Sequence, residues 1–343
     1  MSSTGIERGF VLGRRGLLAG AAALALAGAA PTLARQDATP DAGDEGGWTF
    51  VDDAGVTISL PKRPERVVAY LPVAAALWDL GVRPVAYYGV GLRPDGTRES
   101  LAGDLDLDAL ASLGEAYGEF DIEALAALQP DLIVNDMWAY PPDFWGMEPS
   151  AIAQIEAVAP IANILFIDQP VTETIARVEE LAAALGADLD TPEVIADRDA
   201  FDAAAAELEE AIAGNPGLTV AFIAGTPDSS FWVGNPEKLA DVRYFRDLGL
   251  DVVQPEDREN FSEELSWEAV DTYPADLFIV DDRQWSATGP EMTAQVPTFA
   301  ALPAAKAGAF AAWPSEYVPS RAGFTPSLLA IAEAVRTADP DIV

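Results

Sequence analysis

The chain has 343 residues, enough for two ordinary domains that each bury a core. It contains no cysteine and no histidine, which excludes a Ser–His–Asp triad, a cysteine nucleophile, a thiolate zinc site, a histidine-ligated haem and any disulfide. With 56 acidic against 20 basic side chains the net charge is −36, which opposes nucleic acid and anionic membrane surfaces as partners.

Residues 1–34 read as an export signal. Arg14-Arg15 precede Gly16-Leu17-Leu18 and an apolar run to Ala30, and Thr32-Leu33-Ala34 supplies small residues for a peptidase. The run is too short and too rich in Ala and Gly to read as a spanning helix. The adjacent arginines resemble a twin-arginine signal; Gly13 and Ala19 depart from its usual flanks, so the general route stays open. No cysteine follows, which rules out a lipoprotein-type anchor. Residues 35–47, rich in Pro, Gly and Asp, read as a flexible linker.

An internal repeat follows. In its first copy, Arg66–Tyr70 reads as a strand leading through a helix to Asp79-Leu80-Gly81-Val82. Asp121-Ile-Glu123-Ala-Leu125 then reads as a short amphipathic helix, and Pro130-Asp131-Leu-Ile-Val134 as a turn and buried strand. Two Ala/Glu/Leu-rich helices come next, Thr172–Leu185 and Thr191–Ala213. The second opens on Thr191 as cap and Pro192 as first helical residue, and spans roughly 33 Å. The second copy runs from the strand Thr219–Ile223 through a helix to Asp247-Leu248-Gly249-Leu250. It then continues through Ser266-Trp-Glu268-Ala-Val270 to Pro274-Ala-Asp276-Leu-Phe-Ile-Val280. Strand–helix–strand crossovers imply mostly parallel sheets. The fold class is therefore α/β, with an N-terminal lobe over 48–170, a helical connection over 171–214 and a C-terminal lobe over 215–343. A long helix bridging the lobes implies a modest hinge motion.

Ligands gather beyond the carboxyl ends of parallel strands. On the first lobe that rule selects loops carrying Tyr70, Tyr88, Arg93, Trp138 and Tyr140. On the second it selects Trp232, Arg283, Trp285, Trp313, Tyr317 and Arg321. Aromatic rings in such loops suit a flat or greasy ligand, or else support the loops from beneath. The three arginines favour an anionic chelate, or else pair with surface acids. With no histidine, a bare zinc or nickel ion is disfavoured and no metal site is assigned. An oxygen-only site from Asp136, Asp281 or Asp282 for a hard cation stays open.

Five stretches in this order resemble the ABC-transporter substrate-binding proteins of the ferric-siderophore and cobalamin type. They are PERVVAYLPVAAALWDLGVRPVAYYG (64–89), DIEALAALQPDLIV (121–134), PEVIADRDAFDAAAAELEEAIAG (192–214), ELSWEAVDTYPADLFIVDD (264–282) and LPAAKAGAF (302–310). The resemblance implies two Rossmann-like lobes bridged by a long α-helix, with a ferric siderophore bound between them; cobalamin or haem are the alternatives. It also implies no catalytic residues and no cofactor, a monomer at the periplasmic or extracellular face, and permease subunits as partners. Glu123 and Glu268 stand where this family docks to importer arginines, a pairing suited to bidentate hydrogen bonding; both are equally first-turn helix glutamates. Two rivals stay open. One is an exported hydrolase using Asp136 and Asp281, which needs its acids about 5–10 Å apart. The other is an adhesion or scaffold module on the same fold.

Overall fold

The computed structural model describes residues 47–343 except Tyr117. The export signal over 1–34 and the linker over 35–47, Gly47 apart, lie outside the described residues. Among the described residues, no helix is long and apolar enough to cross a membrane.

The first lobe begins with an antiparallel hairpin of β1 (Trp48–Val51) and β2 (Thr57–Leu60), with Gly55 at φ +79° in its turn. There follow β3 (Val67–Tyr70), α1 (Leu71–Asp79), β4 (Ala86–Tyr88), β5 (Ala111–Ser112), α2 (Ile122–Leu128), β6 (Leu132–Met137), α3 (Ile152–Glu156) and β7 (Ile161–Leu165). The five strands β3 to β7 make a parallel sheet in the order β5-β4-β3-β6-β7. A parallel sheet is covered on both faces, and every residue of β3 and β6 is buried. α1 is buried from Leu71 to Leu77 and stops at Leu80, before Gly81 at φ +86°.

Two helices cross to the second lobe, α4 (Val171–Ala184) and the 23-residue α5 (Pro192–Gly214). Thr191 caps α5, its hydroxyl accepting from Val194 N at 3.3 Å, with Pro192 in the first turn. The second lobe holds β8 (Thr219–Gly225), β9 (Phe231–Gly234), α6 (Ala240–Asp247), β10 (Asp251–Val252), β11 (Ser262–Leu265) and β12 (Leu277–Asp281). It closes with α7 (Gly289–Gln295), α8 (Pro297–Ala300), α9 (Pro303–Ala307), β13 (Phe310–Trp313) and α10 (Arg321–Thr337). Its sheet runs β11-β9-β8-β12-β13, with β10 also paired to β8.

This second sheet departs from a plain crossover. β10, β12 and β13 pair in parallel, but β9 and β11 are antiparallel. The turn Thr226–Ser230, closed by Thr226 N donating to Ser230 O at 3.0 Å, folds the chain back before α6 begins. The second repeat copy also shortens. Where Asp121 caps a full α2, Trp267–Ala269 forms only one 3₁₀ turn. Val270, Asp271 and Thr272 are poor helix formers, and Pro274 bars the α region to Tyr273.

One apolar core runs through both lobes. It joins Leu77 of α1, Phe201 and Leu208 of α5, Phe222 of β8 and Phe324 of α10. The Phe324 ring lies 5.4 Å from Tyr317 and 5.7 Å from Phe245. Two smaller clusters back the outer faces of the two sheets.

Candidate functional site

The end of β3 and the segment after β4 meet the segments after β12 and β13, and polar groups link them. Tyr70, at the end of β3, donates its hydroxyl to Glu316 Oε2 at 3.2 Å. Glu316 follows β13 with φ +63°, a left-handed conformation that glutamate rarely adopts. Its other oxygen bonds Arg283, which follows β12 and also pairs with Asp281 Oδ2 at 2.6 Å. Burial works against the Arg283 charge, but Glu316 and Asp281 outweigh it and hold the guanidinium well above its ordinary range. Burial pushes the Glu316 carboxyl up, with Arg283 opposing. Tyr70 is raised well above the usual phenol range, first by burial and then by Glu316.

A second link lies alongside. Arg93 donates to the Asp282 carbonyl at 2.6 Å and pairs with Glu99 at 3.2 Å, while Ser100 Oγ donates to Asp282 Oδ1 at 3.2 Å. Burial pushes the Asp282 carboxyl up to about 6 against the pull of the Ser100 hydrogen bond.

Aromatic rings surround these groups. The Arg283 guanidinium lies 5.3 Å from the centroid of the exposed Trp285, which meets Trp232 edge-on at 5.6 Å. Tyr70 lies 5.4 Å from Tyr88 and 5.5 Å from Trp145. Tyr88 donates to Asn135 Oδ1 at 3.0 Å, and Asn135 in turn donates to Asn163 Oδ1 at 3.1 Å, a buried polar brace behind the ring. Trp138 Nε1 donates to Asp136 Oδ2 at 2.6 Å. Asp136 is buried; that burial, with Glu316 nearby, raises its carboxyl well above the usual range.

The structure therefore brings together Tyr70, Tyr88, Arg93, Arg283, Trp285 and Trp232, with Trp138 reaching the group through Asp136. Tyr140 stands apart at 60% exposure on the segment after β6. Three residues lie elsewhere. Trp313 is buried against Phe222 at 5.3 Å and donates to Asp241 Oδ2 at 2.6 Å. Tyr317 is buried, stacked on Phe166 at 5.4 Å and bonded to Thr174 Oγ1 at 3.3 Å. Arg321 opens α10 and pairs with Glu179 of α4 at 3.0 Å, over the Phe201 ring at 5.2 Å. The strand-end rule selects the loops at 135–140 and 313–321 but no role for Asn135 or Glu316, and it does not reach Trp145. Trp145 shares the loop after β6 with Trp138, which was its only signal; nothing local marks the cross-lobe reach of Glu316.

Asp136 is tied to Trp138, and Asp281 to Arg283. Among the described residues no group of three His, Cys, Asp or Glu could hold a metal ion. The arrangement can grip a solute by ring contact, cation–π contact and hydrogen bonding. Glu123 is exposed in the first turn of α2, where Asp121 Oδ1 accepts from Ala124 N at 2.9 Å. Glu268 is exposed on the 3₁₀ turn, where its own N–H and the Ser266 hydroxyl hold its carboxyl below the usual range.

The profile of a family described as periplasmic binding protein matches residues 96–317. Among curated proteins nothing matches. Among solved structures the chain is similar to DesE, a ferric-siderophore receptor protein from Streptomyces coelicolor. The two share 35% identity over 85% of this chain and 99% of that one, at a TM-score of 0.80. VctP, the periplasmic catecholate-siderophore binding protein of Vibrio cholerae, is 20% identical over 84% of this chain and 99% of its own, at 0.59. PiaA of Streptococcus pneumoniae in complex with ferrichrome is 19% identical over 85% and 99%, at 0.55. These last two share the fold.

Proposed function

The chain belongs to the periplasmic binding protein family, and from that premise we propose that it captures a ferric siderophore between its lobes and delivers it to the permease of an ABC importer. The observation that carries the reading is the 35% identity to a ferric-siderophore receptor over 99% of that receptor's chain. The cleft chemistry agrees with it. A siderophore already wraps its iron, so the protein needs ring faces and hydrogen-bonding groups rather than metal ligands, and those are what Tyr70, Trp138, Trp232 and Trp285 present with Arg93 and Arg283. Tyr140 extends this lining at the rim. Tyr88 props Tyr70, Tyr317 backs Trp138 through Phe166, and Trp313 and Arg321 pack away from the lining. Glu123 and Glu268 dock the loaded protein to permease arginines, one from each lobe. Arg14-Arg15 and the apolar run after them route a monomeric chain to the outer face of the membrane, with no cysteine-linked lipid. The protein binds and releases its solute unchanged and carries no cofactor of its own.

The test is titration of the purified protein with ferric hydroxamates, ferric catecholates, cobalamin and haem, followed by tryptophan fluorescence. Quenching by a ferric siderophore is expected, and Trp285→Ala should weaken it. Binding of cobalamin or haem with no response to any ferric siderophore would replace this reading with a different cargo.

A further inference from the structure

We infer that the cleft selects ferric chelates of net positive charge, and that Glu316 is the residue that sets this preference. The inference rests on the proposed siderophore site and asks which charge class that site takes. Three arginines at strand ends suggested an anionic ligand, but each already has carboxylate partners. Arg321 is held by Glu179 away from the cleft. Arg93 is paired with Glu99, and Arg283 lies between Asp281 and Glu316. Four carboxylates, the buried Glu99 and Asp281 and the partly exposed Asp282 and Glu316, thus stand against two guanidinium groups.

An anionic chelate could recruit Arg283 only by drawing it from Asp281 and Glu316. That would leave the buried Asp281 carboxylate unpaired beside a like charge, a strongly unfavourable exchange. A cationic chelate needs no such rearrangement. It meets the partly exposed Glu316 and Asp282 carboxylates and can lie against Trp285, whose ring already lies near a guanidinium at 5.3 Å.

Glu316 is central because its left-handed backbone, at φ +63°, sets one side chain between Tyr70 of the first lobe and Arg283 of the second. Such a conformation persists for a non-glycine residue only where its surroundings hold it. Both lobes therefore meet at a carboxylate. Replacing it with a neutral amide would leave Arg283 with Asp281 alone and shift the local charge by one.

The experiment uses three ferric trihydroxamates that share one iron-binding body: ferrioxamine B, cationic through its terminal amine, its neutral N-acetyl derivative, and its anionic N-succinyl derivative. Affinity should fall at least about tenfold from cation to anion, and the gap should narrow as salt rises from about 0.05 to about 0.5 M. In Glu316→Gln the ratio of cation to anion affinity should shrink at least about threefold. If the anion binds as tightly as the cation, the charge inference fails while the siderophore reading stands. An unchanged gap in Glu316→Gln removes Glu316 as the selector. If this variant does not fold, the wild-type charge series and its salt dependence decide the preference. No binding of any of the three, or of ferric catecholates, by folded protein overturns the siderophore reading and this inference with it.

Discussion

Asp241 offers a measurable account of how a buried carboxyl is tolerated in this fold. It sits in the first turn of α6 at 3% exposure, its oxygens accepting from Val242 N at 2.8 Å and Trp313 Nε1 at 2.6 Å. Burial outweighs these hydrogen bonds and raises the carboxyl to about 6. The unfolded chain releases the same proton at about 3.9. The folded state therefore binds the proton more tightly, and stability falls as pH rises between about 4 and about 6. Above that window the full penalty is in place, about 3 kcal/mol, of which about 2 kcal/mol accrues between about pH 4.5 and about pH 8. Asp241→Asn removes the titration, at a pH-independent cost of about 1–3 kcal/mol because its amide must face one of the two donors. Urea unfolding of both proteins at the two pH values isolates the effect, since every other carboxyl cancels. The stability difference should move in favour of Asp241→Asn by about 2 kcal/mol from the lower pH to the higher. Parallel pH profiles for the two proteins would refute the reasoning.

Three other variants separate structural from functional roles. Thr191→Ala removes the cap of α5 and should lower the unfolding free energy by about 1 kcal/mol in urea titrations. Arg321→Ala loses the Glu179 pair and the Phe201 contact. It should cost about 1–2 kcal/mol in the same assay while leaving chelate affinity within about twofold. Glu123→Ala combined with Glu268→Ala should keep chelate affinity unchanged and abolish stimulation of the reconstituted importer's ATPase; normal stimulation would remove the docking role.

The parts of the fold legible in the sequence were those set by local chemistry. Thr191-Pro192-Glu193 marks the start of α5 because a cap, a preset φ and a first-turn acid all act within one turn. The Leu-Gly stops at 80–81 and 248–249 mark helix ends because glycine tolerates the positive φ found there. The antiparallel β9 was not legible, since pairing depends on which edge of β8 is free. Strand-end position put Tyr70 at the end of β3 and Arg283 after β12, as the structure has them, but gave no direction for a side chain. Trp313 ends β13 opposite Asp281, yet its indole turns to Asp241 and Phe222 in the core. The partners of the arginines were equally hidden, because Glu316 is 33 residues from Arg283 and 246 from Tyr70.

The distribution of polar and apolar contacts between the lobes bears on how the cleft can open. On the side of α5 and α10 the lobes share a continuous apolar core, and separating it would expose Phe201, Phe324 and Leu208 to water. At the cleft the links are polar: Tyr70 to Glu316, Arg93 to the Asp282 carbonyl, and Ser100 to Asp282. Water or a bound solute can take over each of those hydrogen bonds at small net cost, whereas nothing replaces buried ring contacts. The lobes should therefore pivot about the helices, with the polar links breaking first and the core staying closed. A motion confined in this way is small. On the proposed function, it also places the exchangeable bonds where an incoming chelate would compete for them.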